Sequence, residues 1–301
     1  MIASIIIKNI TGLYTMDINQ PSFISNAYLA IQYETILEIG QGSFHHLIGK
    51  KTEIIDARGC IITPGFIDVN TNIGFNPYAF DYQGKPIVNS TSEFFICQKI
   101  KKALDDMLSH GVTTLHTLGD ATSFDEMCAH VLRLKKLNRM QPIDIYTTFS
   151  CRNVPKEMYK KSNLFHMLIN RRYFHYIDIN PEKNGKLLKE CKKRGIKVLE
   201  SSGYVSTQYS KTFLNSNLWE TLKRDKSYQD LTSYELLKLV TIQQAKYLQK
   251  DKIGVLKTGF FADFIIFYGS NIDEIRYQIG KSNIHSVYKR GIRVVDFHRP
   301  K

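Results

Sequence analysis

The sequence predicts an α/β fold, and three observations predict it. Strand-like and helix-like segments alternate through the middle of the chain, the pattern of a parallel sheet with helices packed on it. Short β-branched and aromatic runs, broken by Gly, Asn and Pro, occupy both ends. The 301 residues are 43% hydrophobic, enough to bury a sizeable core as one large domain or two.

At the N-terminal end, Ile5 to Ile10, Ala27 to Ile31, Thr35 to Ile39 and Glu53 to Ala57 read as strands. Phe66 to Val69 opens the alternation as its first strand. Ser92 to His110 follows as a helix, because Ile96, Ile100, Ala103, Leu104 and Met107 share one stripe and Gly111 supplies the stop. Val112 to Leu118 is the second strand. Ser123 to Glu126 is a capping box that opens a helix through Met127, Val131 and Leu134. Ile143 to Phe149 is the third strand, and a helix follows Pro155. Tyr173 to Ile179 is the fourth, with its helix from Pro181 to Gly195, and Ile196 to Glu200 is the fifth. Thr232 to Glu235 is another capping box, starting one helix with Leu237, Val240, Ala245 and Leu248 inward. Asp263 to Tyr268, and Ser286 to Asp296 with a turn at Gly291, close the chain as strands.

Composition excludes several classes. The apolar run Ile5-Ile6-Ile7 is far too short to span a bilayer, and the N-terminus lacks the basic-apolar-small order of a signal peptide. Cys60, Cys97, Cys128, Cys151 and Cys191 are odd in number and scattered, with no C-x-x-C pair, so they read as reduced packing thiols of a cytoplasmic protein. The net charge of +13 raises the question of acidic partners. Its densest stretch, Lys183 to Lys197, alternates with Leu187, Leu188 and Cys191 at helical spacing and reads as a solvated helix face. No aromatic-rich or zinc-finger motif accompanies it, which argues against nucleic acid. His45-His46 reads as surface loop, and His285 and His298 as structural. No nucleophile elbow, P-loop or dinucleotide fingerprint is visible.

The segment Thr63-Pro64-Gly65-Phe66-Ile67-Asp68-Val69-Asn70-Thr71-Asn72 resembles P-G-F-I-D-x-H-x-H, the metal-binding signature of the amidohydrolase superfamily and its imidazolonepropionase-like hydrolases. His110-Gly111-Val112-Thr113-Thr114 resembles that family's G-V-T-T. Asp251 to Phe264 is similar to its I-G-x-L-x-x-G-x-x-A-D pattern. The resemblance covers about residues 25–120 and 170–296. It implies a (β/α) TIM-like barrel over residues 64–256 and a small β-sandwich built from residues 1–63 and 257–301. A full barrel spends about 30 residues per βα unit. From Ser202 to Leu231 there is room for one unit where the family needs three. The barrel is therefore expected to be incomplete, with about five or six strands. Its open edge needs a cover: the aromatic segment Tyr204 to Tyr228 (Tyr209, Phe213 and Trp219), a second copy of the chain, or another protein subunit.

The resemblance also implies where a metal would have been held. Residues i and i+2 of a strand point the same way, so His-x-His aims two imidazoles at one ion. Asn70 and Asn72 keep that geometry with neutral carboxamides, which are weaker ligands. Glu200 stands where the histidine ending strand five would align. No metal cofactor is expected, the ancestral zinc or iron site being lost. A replacement pocket would draw on Asp68, His116, Asp120, His175 and Asp178 at the strand ends. The leading expectation is a degenerate amidohydrolase with a binding, scaffolding or regulatory role. An active hydrolase of C–N bonds in cyclic amides with a rebuilt site, and a basic ligand- or nucleic-acid-binding protein, stand beside it.

Overall fold

Strands from both chain ends meet in one mixed sheet of the computed structural model, which describes residues 1–19, 21–71, 73, 93–117, 123–151, 154–179, 184–199, 218, 222, 226–277 and 283–297. Packing divides the chain into two compact units: Met1–Asp68, Asp106–Thr113 and Asn215–Lys301 in one, Val69–Asp105 and Thr114–Leu214 in the other.

In the first unit, β1 (Ile5–Tyr14), β2 (Phe23–Gln32), β3 (Thr35–Gln41), β4 (Glu53–Asp56) and β5 (Cys60–Pro64) come from the N-terminal end. Three later strands, β11 (Phe264–Tyr268), β12 (Ile284–Lys289) and β13 (Ile292–Asp296), come from the other. Their order is β13-β12-β11-β5-β1-β2-β3, with β4 parallel to the first half of β1. Strand β1 runs beyond Ile10 because a bulge rephases it. Ile7 pairs with Leu29 and Ile10 with Ala27, so one residue is extra, and Asn9 absorbs it at φ 56°. Ile7 and Ile10 would face apart in a regular strand; here both enter one core with Leu29, Ile31, Ile62, Phe264 and Ile266. Ile6, Tyr28, Ala30 and Leu47 form a second core.

The helix expected from Thr232 is two. The capping box holds, with Thr232 N–H donating to Glu235 Oε2 at 2.8 Å and Glu235 N–H to the Thr232 hydroxyl at 3.2 Å, and it starts α6 (Ser233–Leu239). The helix then breaks at Val240-Thr241 before α7 (Ile242–Tyr247). The carbonyl of Val240 accepts from Ile67 N–H at 2.8 Å, and the Thr241 hydroxyl donates to the Leu237 carbonyl at 2.5 Å, so the backbone there serves a strand and a side chain instead of another helical turn. α8 (Ile272–Tyr277) lies between β11 and β12.

A second sheet has the order β10-β9-β8-β7-β6 among the described residues, with β6 (Phe66–Thr71), β7 (Val112–Thr117), β8 (Asp144–Ser150), β9 (Tyr176–Asp178) and β10 (Lys197–Val198). The β7–β8, β8–β9 and β9–β10 pairs are parallel. Helix α1 (Glu93–Ser109) ends at Gly111, whose φ of +90° suits a residue without Cβ. α2 (Phe124–Leu137) is capped by Ser123, which accepts from Glu126 N–H. Short helices α3 (Lys156–Lys161) and α4 (Asn163–Asn170) precede β9, and α5 (Gly185–Lys193) follows it. Phe149 and Ile177 of the sheet pack with Met127, Val131, Phe165, Leu168 and Cys191 of the helices. The expected strand and helix ends at Leu118, Pro181 and Glu200, and most of the aromatic segment from Tyr204, lie outside the described residues.

One ion pair in the first unit is almost fully buried. Lys289 Nζ donates to Asp263 Oδ2 at 2.6 Å, while Arg290 N–H donates to Oδ1 at 2.7 Å. Replacing Asp263 by Ala leaves a buried ammonium facing the vacated position and is expected to cost about 3–5 kcal/mol in urea unfolding. Asp296→Ala breaks an exposed pair with Arg293 and should cost less than about 1 kcal/mol. Equal losses from the two variants would show that Lys289 reaches water.

Candidate functional site

Successive strand residues point to opposite faces. Phe149 faces the helices, so Tyr146, Thr148 and Ser150 of β8 face the other way. The parallel register then sets His116 beside Tyr146, Thr148 beside Tyr176 and Ser150 beside Asp178. The outcome is a polar face opposite an apolar one. His116 Nε2 and Thr148 Oγ1 share a hydrogen bond of 2.7 Å, and Ser150 Oγ donates to Asp178 Oδ2 at 3.3 Å. The rings of His116 and Tyr176 meet edge to face at 5.5 Å.

His116 is fully buried, and burial, with a smaller effect from the charge of His175, pulls its pKa down to about 3. The imidazole is therefore neutral near pH 7. Burial, then Tyr146, raises the Tyr176 phenol well above its usual range. Thr114, buried on β7, has a hydroxyl with no hydrogen-bond partner. Among the described residues, this face offers uncharged donors and acceptors and one carboxylate, Asp178.

The residues expected to form a pocket fare differently. His116 and Asp178 do share the polar face, each with a hydroxyl partner. His175 was expected near the end of its strand but stands before the first residue of β9, where its Nδ1 accepts from Thr147 N–H at 3.2 Å. The stretch before it is a turn: Tyr173 N–H donates to the Leu168 carbonyl at 3.0 Å, which closes α4 and delays the strand. Asp68 lies in β6, 1% exposed, with neither carboxyl oxygen hydrogen-bonded to a described residue. Burial alone pushes its pKa up to about 8. Asn70 contributes backbone to β6. The Asn70 side chain and all of Asn72, Asp120 and Glu200 lie outside the described residues. Thr148, Ser150, Tyr146 and Tyr176 were missed, although the alternation of Ile145, Thr147 and Phe149 with Tyr146, Thr148 and Ser150 carried the signal.

Among the described residues, no three His, Cys, Asp or Glu side chains gather as a metal-binding group. His46 pairs with Glu38 at 3.2 Å on the surface, and His285 lies in β12 against the Tyr268 ring at 5.1 Å; His298 is outside the described residues. All five thiols are free, and burial pushes Cys60 up to about 11 and Cys128 and Cys191 to about 12, which keeps them unreactive. No described helix is long and apolar enough to cross a membrane.

Comparison with known proteins gives a consistent family. The Amidohydrolase family profile matches residues 182–294. An imidazolonepropionase of Alkaliphilus metalliredigens is 22% identical over 417 aligned residues, covering 98% of this chain and 99% of the relative. One from Bacillus cereus is 29% identical over 243, covering 68% of this chain and 54% of the relative. Among solved structures, the atrazine chlorohydrolase of Arthrobacter aurescens complexed with zinc superposes with a TM-score of 0.61 at 14% identity, over 97% of this chain and 95% of that one. An adenosine deaminase of Xanthomonas campestris with bound zinc gives 0.63 at 12%, over 97% and 93%. Such low identities speak for the fold alone, a mixed α/β architecture shared with these hydrolases. The profile match and the imidazolonepropionase relatives support a relationship of this chain to the amidohydrolase superfamily.

Proposed function

We propose that this chain is a non-catalytic member of its superfamily, in which the barrel persists as a binding or scaffolding frame. The donor set of the Asp68 to Asn72 stretch of the sequence carries the reading. Where the family signature places two imidazoles, this segment has Asn70 and Asn72, whose amide oxygens are neutral and weak ligands for zinc or iron. Two residues before Asn70, Asp68 is buried, and with no cation beside it burial pushes its carboxyl up to about 8. These residues do not fit a tightly held transition metal.

Chain length supports the same reading. The alignment with the Alkaliphilus protein runs over 417 residues and almost the whole of both chains, while this chain has 301. The surplus of the relative therefore falls inside the alignment and not at its ends. An internally shortened barrel of five or six strands accounts for that difference. Its parallel edge then calls for a partner subunit or a second copy. Four of the five thiols being buried and all being free suits a reducing compartment such as the cytoplasm.

A second reading, an active C–N hydrolase with a rebuilt site, is favoured by one observation: the polar face built from His116, Thr148, Ser150 and Asp178. Elemental analysis of the purified full chain separates the two. Under the first, zinc, iron and manganese stay far below one equivalent and no cyclic amide is turned over. Stoichiometric metal that is lost in a Glu200→Ala variant, together with turnover, would establish the second.

Asp68 also predicts a pH dependence of stability. Its folded pKa of about 8 lies above the ordinary 3.8, so between these values the folded chain holds a proton that the unfolded chain releases. Stability therefore falls as pH rises through that window. His116 acts in the opposite direction, costing stability as pH drops from 6.5 toward about 3. Urea midpoints at about pH 6.5 and about pH 8.5 should differ for the parent chain and converge in Asp68→Asn. An unchanged difference in the variant would mean that the carboxyl is already ionised in the fold.

A further inference from the structure

A cavity of about 360 Å³ opens in the helical layer between the α3–α4 pair and the start of α5. Its size falls within the range of small-molecule sites, about 300–1,000 Å³. It uses no residue of the β6 segment and no residue of the polar sheet face. One wall is apolar and firm: Tyr159 and Phe165 are buried, their rings 5.8 Å apart, and Leu187 adjoins them. The Tyr159 hydroxyl is committed, donating to Asn184 Oδ1 at 2.7 Å, so its ring is held in place.

The rim is cationic. Lys160 and Lys186 both line the cavity, both are exposed, and neither forms an ion pair with a described residue. His166 Nε2 is directed at the Lys160 carbonyl at 3.3 Å. Among the described lining residues, one carboxylate, Glu190, opposes the two ammonium groups. Two exposed cations beside a fixed aromatic wall make a concave site for a flat apolar body with a negative head. A cation would meet Glu190 alone against both lysines.

We propose that this cavity binds a small aromatic anion, a carboxylate or a phosphate monoester, with its ring on Tyr159, Phe165 and Leu187 and its charge at Lys160 and Lys186. The test is calorimetric titration of the full chain with benzoate, phenyl phosphate, inorganic phosphate and benzylamine. Saturable binding of benzoate or phenyl phosphate is expected, and whichever binds more tightly identifies the head group. Lys160→Glu with Lys186→Glu should weaken it about tenfold, and Glu190→Gln should tighten it about two- to fivefold, the scale of exposed charge interactions. The proposal is overturned if neither aromatic anion binds, if benzylamine binds as tightly as benzoate, if inorganic phosphate matches phenyl phosphate, or if the charge variants leave affinity unchanged.

Discussion

The ladder that pairs Cys60–Pro64 with Phe264–Tyr268 joins the two ends of the chain, and the rest of the first unit is arranged around it. At its last rung Gly65 N–H donates to the Asp263 carbonyl at 3.0 Å, and the next residue, Phe66, donates to the Gly111 carbonyl at 2.9 Å. One residue thus carries the strand from the terminal sheet into β6. Gly65 must be bare, because a Cβ there would sit 2.3 Å from the Thr113 hydroxyl. Gly111 is similarly constrained, with Ile265 Cδ1 2.4 Å from where its Cβ would lie. Closing so long a loop costs only slowly growing chain entropy, and buried Asp263, held by Lys289 and the Arg290 amide, locks the closure in place. The motifs that resemble the family at opposite ends of the sequence are hydrogen-bonded neighbours.

The parallel sheet divides its work between faces. Phe149 and Ile177 meet the helices and supply the packing, which frees the opposite face to carry Thr114, His116, Thr148, Ser150 and Asp178. Buried polar groups are tolerated when partnered. His116 and Asp178 each have a hydroxyl, and the depressed basicity of His116 follows from being enclosed in that company. Among the described residues of this sheet, the Asp68 carboxyl and the Thr114 hydroxyl are buried without a hydrogen-bond partner. A frame that depends on apolar pattern and a few bare glycines tolerates wide change elsewhere. That accounts for shared architecture with zinc hydrolases at 12–14% identity.

Local rules served well where they acted alone. The Thr232 box, the Gly111 stop, the Ser123 cap and the alternation of strand and helix through the middle were all legible from neighbouring residues. The readings that changed involved distant partners. The bulge at Asn9 carries β1 on to Tyr14 against β2, and the Val240 carbonyl is taken by Ile67 from another segment. His175 belongs to a turn because Tyr173 closes α4 and Thr147 reaches across from β8.

The sequence by itself determined the α/β class, the kinship carried by Pro64-Gly65 and Ala262-Asp263, and the carboxamides where imidazoles would stand, since each of these is written in residue identity and short-range spacing. Tertiary structure alone decided which hydroxyl faces His116, that Asp68 is sealed from water, and that Lys160 and Lys186 flank one apolar wall. Register, burial and cavity shape arise from contacts between segments far apart in the chain, and the free energy of a charge depends on what surrounds it rather than on what precedes it.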